Sequence, residues 1–180
     1  MMVEHGIHDF GQAKRKAADR LGVRAAGALP SNAQIQERLV ERQRLFGLEE
    51  HGLRLAKLRR LAAALMEQLE EFRPRLVGAV LDGTATINSA VELHVFSDSP
   101  ELVAAALEAQ GNRVHDSQRR YRFRRDDTPQ IPGFALMLDE EDIEVMVFPE
   151  RGSHHAPLSP IDGRPMRRAS RAAVLALLAS

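Results

Sequence analysis

Apolar residues recur at intervals of three and four through the first part of the chain and at intervals of two through the second, and the change falls at Pro74. The first 73 residues read as three helices. Asp9 is placed to cap a helix over residues 10–21 that Gly22 would end. Residues 22–30, rich in Gly and Ala and closed by Pro30, read as a linker. Ser31, followed three residues later by Gln34, forms a capping-box pattern for a helix over residues 32–46 closed by Gly47. The third helix is predicted over residues 50–72. Leu55, Leu58, Leu61, Ala62, Leu65, Met66, Leu69 and Phe72 form one apolar stripe that must pack on something, and Pro74 stops it.

Beyond Pro74 the pattern becomes strand-like. The run LVGAVL, residues 76–81, is almost wholly apolar, as for a strand covered on both faces. In residues 91–96, Val91, Leu93 and Val95 alternate with Glu92, His94 and Phe96. Pro100 sits in the first turn of a helix to about Gln110, ended by Gly111. Residues 119–125 alternate again, with Tyr121 and Phe123 opposed to Arg120, Arg122 and Arg124. Residues 134–138 and 143–148 predict a hairpin joined by the acidic turn 139–142. An irregular, Pro-rich loop over 149–165 and a last helix over 167–178 follow.

The 25 basic residues balance the 25 acidic ones, so net charge does not mark a general nucleic-acid binder or a membrane-surface protein. The halves differ mildly. Residues 1–73 carry 13 Lys or Arg against 10 Asp or Glu, and residues 74–180 carry 12 against 15, giving +3 and −3. The absence of cysteine excludes a disulfide framework, a thiolate zinc site and a cysteine nucleophile, and suits a reducing compartment. Apolar runs are far shorter than the ~20 residues that span a bilayer, and residues 1–10 lack a signal-peptide core. The expectation is a soluble cytoplasmic protein that does not engage membranes.

The chemically informative stretch is residues 83–94, GTATINSAVELH, lying between two apolar segments. It resembles the signature of the polymerase-beta-type nucleotidyltransferase superfamily, a Gly-Ser pair, a short turn, then Ser-Asp-x-Asp-Leu. In that family the Gly-Ser pair holds a nucleoside triphosphate, two Asp on one strand face hold two magnesium ions, and a later strand supplies a third carboxylate. Carboxylates at i and i+2 of a strand point the same way and can share ions that neutralise phosphate charge. By this resemblance Gly83 and Thr84 match the Gly-Ser pair, Ser89 the following Ser, and Glu92 the second Asp. Glu144, in the last strand, matches the third carboxylate. Ala90 stands where the first Asp belongs, and its methyl group cannot coordinate a cation.

Glu92 and Glu144 are therefore the candidate catalytic residues, and Glu92, His94 and Glu144, expected on one sheet face, the candidate metal ligands. A mixed imidazole and carboxylate set suits zinc, manganese or iron better than magnesium. The alternative is that Glu92 and His94 pair with arginines of residues 119–125. Gly83, Thr84 and Ser89 are candidates for the phosphates, with backbone amides of the Thr84 turn open to an anion. Arg120, Arg122 and Arg124 are candidates for phosphate or carboxylate contact, against the alternative of a solvated strand edge. The pair His154-His155 and the basic cluster Arg164, Arg167 and Arg168 lie on a loop that can cover a cleft. The basic stretch Lys14, Arg15, Lys16 and Arg20 lacks aromatic neighbours for base stacking, so a solvated face is the better account of it.

The expected fold is α+β: a small mixed sheet flanked by helices and similar to a nucleotidyltransferase domain over residues 50–180, with an N-terminal helical extension over residues 1–49. The resemblance implies a cleft for a nucleotide or other phosphate-bearing ligand, with a divalent metal (Mg, Mn or Zn) and a nucleoside triphosphate as implied cofactors. The loss at Ala90 implies weak or absent nucleotidyl transfer. The second function class is a non-catalytic module that contacts protein or RNA through its arginine-rich faces.

Overall fold

The computed structural model describes residues 48–124 and 127–179, together with residues 14, 17, 30–35, 37, 38 and 41. The predicted helix over residues 10–21 falls almost wholly outside the described residues. At the second predicted helix the capping box forms as read. The Gln34 amide donates to Ser31 Oγ at 3.1 Å, and the Ser31 amide donates to Gln34 Oε1 at 2.8 Å.

Helix α1 spans Leu48–Gln68 and buries Leu58, Ala62, Leu65 and Met66 along the predicted stripe. A 3-10 turn, Glu70–Phe72, closes it ahead of Pro74, which cannot continue a helix. Strand β1 is short, Arg75–Val77, and helix α2 follows at once over Gly78–Asp82. The expected strand over 76–81 is therefore corrected to a strand and a helical turn. An all-apolar run reads alike for a buried strand and a buried helix. Gly78, at φ +71°, turns the chain after Val77, and Val80 and Leu81 still reach the core.

Strand β2 is Val91–Phe96, helix α3 is Pro100–Ala109, and strand β3 is His115–Arg120. Strands β4 (Gln130–Leu138) and β5 (Glu141–Phe148) form the predicted hairpin. It is tighter than read. Only Asp139 and Glu140 lie between the strands, at φ 49° and 65°, the double left-handed conformation whose twist matches a two-residue hairpin. After a 3-10 turn at Glu150–His154, the loop leads to helix α4, Arg171–Ala179.

The five strands form one mixed sheet in the order β1-β2-β5-β4-β3, parallel only between β2 and β5. The fold is α+β, as expected. One face, with Leu93, Val95, Val145 and Val147, packs with Leu58, Leu65, Val103 and Val174 from the helices in a single core. On the other face Phe96, Tyr121, Ile131, Met146 and Phe148 make a smaller cluster, completed by Phe123 and Met166. The edge of β1 is covered where Leu76 and Ala169 exchange two backbone hydrogen bonds of 2.9 Å. Strand β3, the other edge, is polar throughout, which is why periodicity placed it at 119–125 rather than 115–120.

Two glycines give opposite expectations. A Cβ at Gly133 would lie 2.6 Å from the Val145 carbonyl oxygen and 2.7 Å from Met146 Sδ, so Gly133→Ala should cost about 1–3 kcal/mol by overpacking. Gly52 lies exposed within α1 with nothing within 4 Å of its Cβ direction, and Gly52→Ala should gain roughly 0.5–1 kcal/mol. Urea denaturation of the two variants checks this, and shifts of equal sign would contradict the packing described.

Candidate functional site

Helix α1 carries the polar side chains that hold the 83–90 segment in place. Arg59 donates to the carbonyls of Val80 (3.2 Å) and Leu81 (3.3 Å) near the end of α2. His51 Nε2 is 3.0 Å from the Gly83 carbonyl oxygen, and Arg54 donates to the carbonyls of Thr86 (3.3 Å) and Ile87 (2.9 Å). Arg54 and Lys57 also form ion pairs with Glu141, at 2.9 and 2.8 Å. Burial works against the Glu141 charge, but hydrogen bonds from Lys57 and Arg54 outweigh it and hold the carboxyl below its usual range. The acidic residue at the start of β5 is thus matched from the helix layer.

The segment satisfies itself internally. The Thr86 amide donates to Ser89 Oγ at 2.8 Å, the Asn88 amide to Thr86 Oγ1 at 3.3 Å, and the Ser89 amide to the Thr86 carbonyl at 3.1 Å. Thr84 follows α2, is buried, and donates its amide to the Ala79 carbonyl at 2.9 Å. The expectation of open backbone amides at this turn is corrected at Thr84. A five-residue helix ends there and its own carbonyl takes the N–H.

A cleft of about 960 Å³ opens beside this segment. Thr84, Ser89, Ala90 and Glu92 line one wall; Arg119, Arg120, Tyr121 and Arg122 come from β3 and the residues after it. The far wall is a strap, residues 158–167, tied by the Leu158 amide to the Arg122 carbonyl (2.6 Å) and by Arg167 to Asp82 (3.2 Å). Asn32 also donates to the Pro160 carbonyl. Gly83 does not line the cleft.

Glu92, His94 and Glu144 lie on the same sheet face, because Glu92 pairs with Glu144 across the parallel β2/β5 register and His94 is two residues on. They do not converge on a common point. Arg119 stands between the two glutamates, its Nη1 2.6 Å from Glu92 Oε2 and its Nη2 hydrogen-bonded to Glu144 Oε2. Burial disfavours the Arg119 charge, but Glu92, Tyr121 and Glu144 outweigh it and hold the guanidinium firmly protonated. Gly78 makes room for this arrangement, since a Cβ there would come 3.2 Å from the Glu92 carboxylate.

His94 is fully buried. Arg168 donates its Nε–H to His94 Nδ1 at 3.1 Å, so the ring carries its proton on Nε2, which lies 3.2 Å from Tyr121 Oη. Burial, then the charges of Arg168 and Arg119, push the His94 pKa well below its usual range. Arg168 lies over Phe96 and Phe148, 5.0 and 4.9 Å from the ring centroids, and donates to the Gly152 carbonyl at 3.0 Å. Burial lowers its pKa to about 10. Burial also raises the Tyr121 hydroxyl, with Arg119 pulling the other way.

This donor set does not fit a divalent metal as folded. Both glutamates are ion-paired to one guanidinium, both imidazole nitrogens are engaged, and Ala90 offers a methyl group. Among the described residues no three His, Asp or Glu are grouped to hold an ion. Of the other candidates, Arg120 and Arg122 are exposed on the cleft, while Arg124, also exposed, forms an isolated bridge with Asp127 and does not line it. The alternative drawn from sequence, that Glu92 and His94 pair with nearby arginines, describes Glu92; the arginine at His94 is the more distant Arg168.

Sequence reasoning missed Tyr121 and Gly78 as parts of this site; it held Arg119 only within the 119–125 group of possible partners for Glu92, and Arg168 only as a loop residue over the cleft. Parity held a signal for Arg119, which shares a strand face with Tyr121 rather than with Arg120. No family model matches the chain, and no curated protein matches it.

A His whose folded pKa is depressed refuses a proton that the unfolded chain accepts. Stability is therefore unaffected above about pH 6.5 and falls below it, by up to ~1.4 kcal/mol per pH unit, until the folded pKa is reached. Nitrogen NMR of the imidazole should show the Nε2–H tautomer unchanged well below pH 6.5. Titration of His94 near its ordinary value would contradict the buried Arg168–His94–Tyr121 chain.

Proposed function

We propose that this protein is a nucleotidyltransferase-like binding protein whose cleft takes a nucleotide or another phosphate-bearing ligand, with nucleotidyl transfer weak or absent. The observation that carries this reading is the place of Arg119. In-line transfer to an α-phosphate relies on cations held by strand carboxylates to offset developing charge. Here a guanidinium bridges Glu92 and Glu144, and position 90 supplies no carboxylate. Losing that stabilisation costs several kcal/mol, on the order of a thousandfold in rate.

Binding is supported by the cleft. Its volume of about 960 Å³ is in the range of small-ligand sites. Its lining combines Thr86 and Ser89, the exposed residues Arg120 and Arg122, and apolar strap residues such as Leu158 and Ile161 that suit an uncharged ring. With the amides of Thr84, Thr86, Asn88 and Ser89 already engaged, the phosphate contacts fall to side chains.

Incubation with labelled nucleoside triphosphates, magnesium or manganese and candidate acceptors should release at most a trace of pyrophosphate. Isothermal titration should still detect nucleotide binding, weakened roughly tenfold by Arg122→Ala, the loss of one charge-assisted contact. Robust turnover abolished by Glu92→Gln would overturn the proposal, and so would the absence of binding by every nucleotide and sugar phosphate tried.

A further inference from the structure

The charges around the cleft divide into those matched within the chain and those left over. Arg119 is matched by Glu92 and Glu144, and Arg167 by Asp82. Arg120 and Arg122 also line the cleft, both are exposed, and among the described residues neither forms an ion pair with a carboxylate. The Arg122 guanidinium lies beside Gly163 of the strap, 3.6 Å from where a Cβ would stand, next in sequence to the exposed Asp162. Asp162 and the second glutamate on Arg119 bring the groups around the cleft close to neutrality as a whole, so what is left for a ligand is Arg120 and Arg122 as the two arginines of the lining outside an ion pair.

That remainder discriminates among phosphates. A phosphate monoester carries about −1.5 to −2 at neutral pH, which two guanidinium forks can meet, whereas a free triphosphate carries roughly twice that. Triphosphates ordinarily arrive with magnesium, and the ion is held through one or two protein carboxylates together with the phosphates. In this cleft both sheet carboxylates are committed to Arg119. A magnesium ion entering there must displace the guanidinium or sit against its positive charge.

We infer that the cleft selects a phosphate monoester in metal-free form over a magnesium-complexed triphosphate, and that Arg119, by filling the Glu92–Glu144 pair, is the residue that sets this preference. The inference rests on the reading of the cleft as a phosphate site and names its ligand class. A nucleoside monophosphate and a sugar phosphate present the same terminal group.

The test is calorimetric titration of the full chain with AMP, ribose 5-phosphate and ATP, each in excess EDTA and in excess magnesium. AMP or ribose 5-phosphate should bind with an affinity that magnesium changes less than about twofold, and ATP with magnesium should bind at least ~10-fold more weakly. Preference for AMP assigns the nucleoside and preference for ribose 5-phosphate the sugar; either supports the inference. ATP bound more tightly with magnesium than without it overturns this inference alone and leaves the phosphate cleft standing. No binding by any of the three overturns both. Arg119→Gln should reverse the pattern, with magnesium tightening ATP binding about tenfold; if that variant does not fold, the wild-type comparison decides the matter.

Discussion

The architecture of the open sheet face depends on one guanidinium. Glu92 and Glu144 are register partners on neighbouring parallel strands, and like charges placed directly across a strand pair repel. Arg119 answers both from the far edge of the sheet, joining β3 to β5 and β2 across β4, which at the intervening positions of this face carries the small residues Gly133 and Ala135. Removing the cation would leave two partly buried carboxylates facing each other without the guanidinium between them. The same side chain closes the floor of the cleft, so the stability of the edge strand and the chemistry of the site are set together.

Around this centre the polar side chains are arranged in two tiers. From the helix layer, Arg54 and Lys57 hold Glu141 while Arg54, Arg59 and His51 hold the carbonyls of the 80–87 stretch, fixing the wall that leads into Glu92. From the open face, Arg168 packs over Phe96 and Phe148 and fixes the His94 tautomer, which in turn meets Tyr121 beside Arg119. The two tiers meet at the cleft. One is matched by carboxylate, the other by aromatic faces and backbone carbonyls, so His94 stays neutral among several guanidinia.

Much of the fold was legible because hydrophobic period fixes elements that bury one face. The stripe of α1, the alternation of β2 and the β4/β5 hairpin follow from it, as do the capping pair Ser31 and Gln34 and the shared face of Glu92, His94 and Glu144. The run 76–81 was misread because buried strand and buried helix share an apolar composition, and only Gly78 marked the break. Strand β3 carries almost no apolar signal, so its boundaries came from the neighbouring Tyr121 and Phe123. Partner choice was the least legible feature. Alternation sets Arg119 apart from Arg120, Arg122 and Arg124 in sequence but names no partner for it, and only the long-range pairing of the strands gives it the two glutamates, with Arg120 and Arg122 among the residues lining the cleft.

The central claim is that Arg119 and the glutamate pair form one energetic unit. A double-mutant cycle measures it most directly, using Arg119→Gln, Glu92→Gln and the combined variant with unfolding free energies from urea titration at neutral pH and low salt. The account predicts a coupling of about 1–3 kcal/mol between the two positions, with a similar value for Arg119 and Glu144. Additive effects, with coupling below about 0.5 kcal/mol in both cycles, would contradict it.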